Sequence, residues 1–178
     1  NGGRTVASIA VVMACMGVVV QMMTATGLSS KISQFALSIA GDNLIILALV
    51  VALTCTLFGM GMPSASAYIL AALLGAPALV SFGVPLVVAH FFVFYFAEMS
   101  ALTPPVAIGC LVASGLANAK FLKTCVIALR LAIMGFVLPF LFLYRPALLL
   151  QGTAFEWFWA VLMVVCFLFC FIIVCEKY

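Results

Sequence analysis

Two short runs of glycine, proline and hydroxyl residues interrupt the apolar sequence, and they are the first candidates for binding chemistry. The first run consists of Gly59, Met60, Gly61, Met62 and Pro63, followed by Ser64 and Ser66. Glycine lets main-chain carbonyls turn toward a cation and lets another segment pack closely. A proline suits the start of the following helix, whose N-terminus and serine hydroxyls offer donors to an anion. The alternative is a plain interhelical turn made of small packing residues.

The second run is Thr103, Pro104 and Pro105. Adjacent prolines remove two backbone donors and push the preceding residue out of helical geometry. We therefore expect a broken helix in which the carbonyls of Ala101 and Leu102 are freed and Thr103 adds a hydroxyl. In lipid, such freed groups must be buried in protein or face a wet cavity. The alternative is a kink that only shapes the helix.

Isolated polar side chains in apolar segments are further candidates. Glu98 lies five residues before Thr103, and an acid in a membrane segment is a functional hypothesis by default because it is costly. It could couple to an ion, or it could sit at a boundary and pair with Arg130. For His90, the only histidine, a hydrogen-bonded interior role is favoured over proton coupling. Arg130 is interpreted as an anchor at the membrane interface.

Composition places these residues in a membrane protein. Of 178 residues, 69% are hydrophobic and 6% are charged, whereas soluble domains carry about 25% charged residues. Seven Lys and Arg residues are too few for a nucleic-acid footprint. The seven cysteines show no CxxC spacing, so neither a zinc site nor a disulfide framework is indicated. The HExxH and GxSxG motifs of an intramembrane enzyme are absent.

The pattern of apolar segments predicts an all-α, polytopic membrane protein in four parts. Residues 1–42 form a spanning helix and an amphipathic surface helix. Residues 43–118 form a transport-type unit, with a re-entrant hairpin at 43–80 and a broken helix at 86–118. Residues 119–150 hold an interfacial helix and a spanning helix, and residues 151–178 form an extra C-terminal spanning helix.

Positive charge then indicates the topology. Arg4, Lys120, Lys123, Arg130 and Lys177 fall on or near one face, and Lys31 and Arg145 on the other. The face with more positive charge is predicted to be cytoplasmic, so the hairpin would enter from the outside.

Several segments, taken in order, resemble a known family. They are GMGMPSASAY at residues 59–68, AHFFVFYF at 89–96, LTPPVA at 102–107, ALRL at 128–131, PF at 139–140 and YRPALLL at 144–150. Together they resemble the large membrane subunit of tripartite ATP-independent periplasmic (TRAP) transporters. They look most like the fused permeases, in which the small and large membrane subunits share one chain. The resemblance covers residues 1 to about 150.

The resemblance implies a secondary transporter without an organic cofactor, in which Na⁺ is the coupling ion. A soluble periplasmic binding protein would deliver an organic anion, usually a carboxylate, and the membrane part would move it inward by an elevator-type motion. The chain resembles the second of two inverted repeats. The missing N-terminal half, comprising the small subunit and the first repeat, would then be a partner. The opening Asn1, which is not a Met, is interpreted as a cut through a longer protein.

The family also implies a multi-pass location in the inner membrane of a bacterial or archaeal cell. The two runs are then expected to form half of a carboxylate pocket and one sodium site, with backbone carbonyls near Gly59, Gly61, Leu102 and Thr103. Two alternatives stay open. A non-transporting membrane scaffold needs no paired breaks, and a proton-coupled carrier would use Glu98 or His90 as its titratable group.

Overall fold

The described part of the chain is helical, as predicted from its composition. The computed structural model describes residues 2–145, 148 and 154–176. The helices are α1 (Gly2–Ala25), α2 (Leu28–Ala40), α3 (Leu44–Gly59), α4 (Ser64–Ser81), α5 (Leu86–Met99), α6 (Ile108–Leu116), α7 (Phe121–Leu131), α8 (Ile133–Tyr144) and α9 (Ala154–Glu176). The prediction of an all-α protein with membrane-type helices is confirmed for these residues, whereas Lys177 lies outside them.

A sharp bend separates the first apolar helix from an amphipathic one. The stretches Met13–Ala25 and Leu28–Ala40 meet at 64°. On α2, Ser33, Ala36 and Ala40 are buried. The Ser33 hydroxyl donates to the carbonyl of Leu74 on α4, at 3.1 Å. The polar residue of the buried face therefore ties α2 to the bundle.

Helices α3, α4 and α5 pack against one another and form the core. Asn43 begins α3, because its side-chain oxygen accepts hydrogen bonds from two backbone N–H groups of the first turn. Gly75 lies where the three helices meet. A Cβ added there would lie 2.7 Å from methyl groups of Val51 and Val93. A small residue at this point lets the three backbones approach closely.

Aromatic side chains fasten α5 to α8. The ring of Phe140 on α8 lies edge-on to Phe92 and Phe96 on α5, with ring centroids 5.4 and 5.8 Å apart. This edge-to-face arrangement is the favourable one for aromatic pairs. Helix α5 is therefore held by α3 and α4 as well as by α8.

Helix length distinguishes the possible spans from the interrupted segments. Among the described residues, Ser64–Ser81 and Phe121–Tyr144 are long and apolar enough to cross a membrane. The 16 residues of α3 rise about 24 Å and the 14 residues of α5 about 21 Å. Both fall short of the roughly 30 Å hydrocarbon core of a bilayer. The two helices that stop short are the ones whose C-terminal ends run into the glycine and proline runs.

Candidate ion and substrate site

The first chain break joins α3 to α4 through residues 60–63. Met60 has extended backbone angles and Gly61 has a φ of 81°. That φ lies in the left-handed region, which is unfavourable for residues with a Cβ. The chain thus turns sharply at Gly61. Pro63 occupies the N-cap position of α4, with Ser64 as the first helical residue.

The second break joins α5 to α6 through residues 100–107. Backbone N–H groups of Ala101, Leu102 and Thr103 each donate to a carbonyl three residues earlier, which tightens the end of α5. The Pro104–Pro105 peptide bond is cis. Helix α6 restarts at Ile108 after a buried Ala107 with a φ of 39°. The interruption predicted from the proline pair is present.

The structure brings the two breaks together. A Cβ added to Gly59 would lie 2.9 Å from Ser100 Oγ and 3.1 Å from the carbonyl oxygen of Ala97. A Cβ added to Gly61 would lie 3.6 Å from a methyl group of Val106. The end of α3 therefore rests on the end of α5, where the small Ser100 side chain faces Gly59, and the first loop lies close to the second.

The main-chain carbonyls at the second break are only partly free. The N–H of Gly109 donates to the Ala101 carbonyl at 3.0 Å. The thiol of Cys110 donates to the Leu102 carbonyl at 3.7 Å. The interruption does remove the helical donors of these two carbonyls, but the first turn of α6 brings other donors to the end of α5. Each carbonyl oxygen still has a second lone pair.

Other main-chain carbonyls at the breaks accept fewer or weaker hydrogen bonds. The Gly59 carbonyl accepts a long hydrogen bond of 3.4 Å from the N–H of Met62. Among the described residues, no backbone N–H donates to the carbonyl of Gly61 or Thr103. Oxygen atoms of this kind are the ligands that hard cations take in discontinuous transporter helices. The Thr103 hydroxyl donates back to the Met99 carbonyl at 2.9 Å, and its lone pairs remain available.

A side-chain hydrogen bond also crosses between the breaks. The Ser64 hydroxyl, at the N-terminus of α4, donates to Glu98 Oε2 at 2.9 Å. Glu98 is half-buried, and its second oxygen, Oε1, is buried without a hydrogen-bond partner. The alternative pairing with Arg130 is not formed, since Oε2 accepts from Ser64 and Oε1 has no partner, while Arg130 is exposed on α7. The helix N-terminus that was expected to meet an anion thus already faces a carboxyl group of this chain.

The structure does not bring every predicted residue to the breaks. Ser66 is fully buried, and its hydroxyl faces the sulfur of Met13 on α1, at 3.5 Å. His90 hydrogen bonds through Nδ1 with the hydroxyl of Tyr68, at 3.0 Å. These two side chains line an open recess of about 260 Å³ together with Phe91 and Phe94. His90 therefore has the hydrogen-bonded role that the sequence favoured.

The remaining members of the two runs shape the loops. Met62 is half-buried and packs against the core, whereas Pro63 and Pro105 are exposed. Met60 and Pro104 are half-buried. Sequence reasoning missed Ser100, whose small side chain receives Gly59. The available signal was a small hydroxyl residue four positions before the first proline, but nothing in the sequence indicated that it faces Gly59.

Comparison with known proteins completes the site's context. No curated protein matches the chain, and no solved structure does. Among the described residues, no group of three or more His, Cys, Asp and Glu side chains could hold a metal ion. A family model described as "Tripartite ATP-independent periplasmic transporter, DctM component" matches residues 1–158. That match covers most of the 178 residues and includes both breaks, and the resemblance drawn from their motifs names the same family. The chain therefore belongs to the DctM component family of tripartite ATP-independent periplasmic transporters.

Proposed function

We propose that this chain forms the C-terminal half of the large membrane subunit of a sodium-coupled carrier that takes up an organic anion. The anion would be a carboxylate delivered by a periplasmic binding protein to the inner membrane. The small subunit and the first repeat would complete the pocket from the N-terminal half of the protein. Together with the family assignment, the contact between the two chain breaks is the single observation that carries this proposal.

The chemistry of the breaks supports a cation and an anion held side by side. Carbonyl oxygens without backbone donors, at Gly61 and Thr103, are suited to a hard monovalent cation. The first turn of α4 offers N–H groups and the positive end of its dipole. A bound cation would also lower the electrostatic cost of placing a carboxylate substrate near Glu98. Sodium is favoured over protons because main-chain oxygens, which do not titrate, make up most of the candidate ligands.

Uptake of radiolabelled carboxylates into proteoliposomes tests the proposal. The full-length transporter, supplied with its binding protein, should accumulate substrate under an inward sodium gradient and not under a proton gradient alone. Gly61→Val should reduce sodium-dependent uptake because valine is strained at a φ of 81°. Thr103→Ala should reduce it because a hydroxyl is lost at the break. Both variants are compared at matched membrane levels.

Two matched controls separate site effects from general damage. Gly83→Val places the same residue at a φ of 100°, in the turn after α4 and away from the breaks. Thr54→Ala removes a hydroxyl that donates to a carbonyl four residues earlier, as Thr103 does. Unchanged uptake in Gly61→Val and Thr103→Ala would overturn the site assignment. Uptake that follows only the proton gradient would overturn sodium coupling.

A further inference from the structure

We propose that Glu98 is a direct, charged ligand of the coupling cation and that the Ser64 hydroxyl holds it in position. This inference rests on the proposed function and adds a side chain to a cation site otherwise made of main-chain carbonyls. Glu98 Oε1 is the one buried side-chain nitrogen or oxygen of the described residues without a hydrogen-bond partner. A buried carboxyl oxygen left unpaired is costly, so a native structure that keeps one needs a partner for it.

Nothing else in the described chain supplies that partner. Arg130 is exposed on α7, and His90 is engaged with Tyr68 two turns earlier on α5. Lys31, Lys120 and Lys123 are likewise exposed, on or just before other helices. A cation that enters from solution would satisfy an acceptor-only oxygen in this position.

The position of Glu98 favours an ion over a purely structural carboxyl group. It lies on the last turn of α5, immediately before the second break, and its other oxygen binds the first residue after the first break. It therefore touches both elements whose loops carry carbonyls without backbone donors. Ser64 donates to Oε2 alone, which leaves Oε1 for the ion.

Charge balance supports the same assignment. A carboxylate substrate near the N-terminus of α4 would face Glu98, and two like charges at one site repel. A cation liganded by Glu98 removes that repulsion, so substrate and cation would each bind more tightly when the other is present. Thus Glu98 would make anion binding depend on the cation.

The test measures sodium binding to the purified full-length transporter without using transport as the readout. Thermal melting is followed as NaCl replaces choline chloride at constant ionic strength. Glu98→Gln keeps an oxygen that can accept from Ser64 but removes the charge. We expect the sodium concentration for half-maximal stabilisation to rise ~tenfold or more, in line with bonds to charged groups. Ser64→Ala, which keeps the charge, should raise it less.

Asp42→Asn is the matched control, because Asp42 is an exposed acid on the turn between α2 and α3. It should leave the sodium response unchanged. Should Glu98→Gln fail to fold, Glu98→Asp retains the charge on a shorter side chain and is expected to bind sodium with reduced affinity.

The outcomes distinguish the role of Glu98 as a cation ligand from the proposed function on which it rests. A wild-type sodium response in Glu98→Gln, or in Glu98→Asp if only that variant folds, overturns the role of Glu98, while sodium-driven uptake by the wild type would keep the proposed function. A wild-type protein that neither responds to sodium nor takes up substrate with it overturns both.

Discussion

The contact between the chain breaks can be tested by adding one methyl group. Gly59→Ala would place a Cβ 2.9 Å from Ser100 Oγ, 3.1 Å from the Ala97 carbonyl oxygen and 3.2 Å from Ser100 Cβ. Carbon atoms pack best at about 3.5–4.0 Å. The Ser100 hydroxyl can rotate away, but the Ala97 carbonyl and Ser100 Cβ belong to the end of α5 and move only with it. The substitution therefore separates α3 from α5 at the breaks.

Overpacking of this kind costs about 1–3 kcal/mol. We expect Gly59→Ala to lower the free energy of unfolding of the full-length transporter in detergent by that amount. If the strain falls on the transport-competent arrangement, uptake drops about fivefold or more, since ~1.4 kcal/mol corresponds to tenfold. The measurements are denaturant unfolding of the purified protein and uptake at matched membrane levels.

Substitutions of Ser100, the residue that faces Gly59, test this contact more directly. Ser100→Gly removes the Oγ and Cβ atoms that would crowd the new methyl group, so it should relieve most of the Gly59→Ala defect. Ser100→Ala removes only the hydroxyl and should relieve less. The coupling in this double-mutant cycle is expected at about 0.5–3 kcal/mol. Gly17→Ala serves as a control, because a Cβ at that helical position meets nothing within 4 Å. Strictly additive effects of the Gly59 and Ser100 substitutions would refute the proposed contact.

Three further substitutions test the surrounding fold by thermal melting of the purified protein. Gly75→Ala should lower stability by about 1–3 kcal/mol, because the new Cβ would meet a Val93 methyl group at 2.7 Å, and Val93→Ala should restore part of the loss; no rescue would argue against that packing. Tyr68→Phe should cost about 0.5–1.5 kcal/mol by removing the partner of His90, while sodium-dependent uptake stays near the wild-type level, and a lost uptake would place His90 in the mechanism. Asn43→Ala should cost about 1 kcal/mol through the lost cap of α3, whereas Asn43→Ser, which can still cap, should keep most of the stability.

Much of the local structure could be predicted because its causes are local. Glycine at residue 61 and the proline pair at 104–105 stop helices through the backbone of their own segments. The amphipathic helix α2 was recognisable because its polar residues recur on one side. Membrane embedding followed from composition alone.

The faces that the apolar helices turn toward one another could not be predicted from the sequence. Ser64 and Ser66 lie two residues apart on α4, yet one meets Glu98 and the other faces α1. The sequence indicated neither direction. The same holds for Gly59, whose need for a bare backbone is visible only once Ser100 lies against it.

The surrounding lipid explains why the residue pattern of these helices does not show which face is buried. In a soluble protein, alternation between apolar and polar residues tells which face of a helix is buried. A helix surrounded by lipid is apolar on every side, because hydrocarbon tails are as apolar as a packed leucine. The sequence by itself therefore determined where helices α3 to α6 stop. Tertiary packing alone decided which face of each helix meets its neighbours, and so which residues meet at the two breaks.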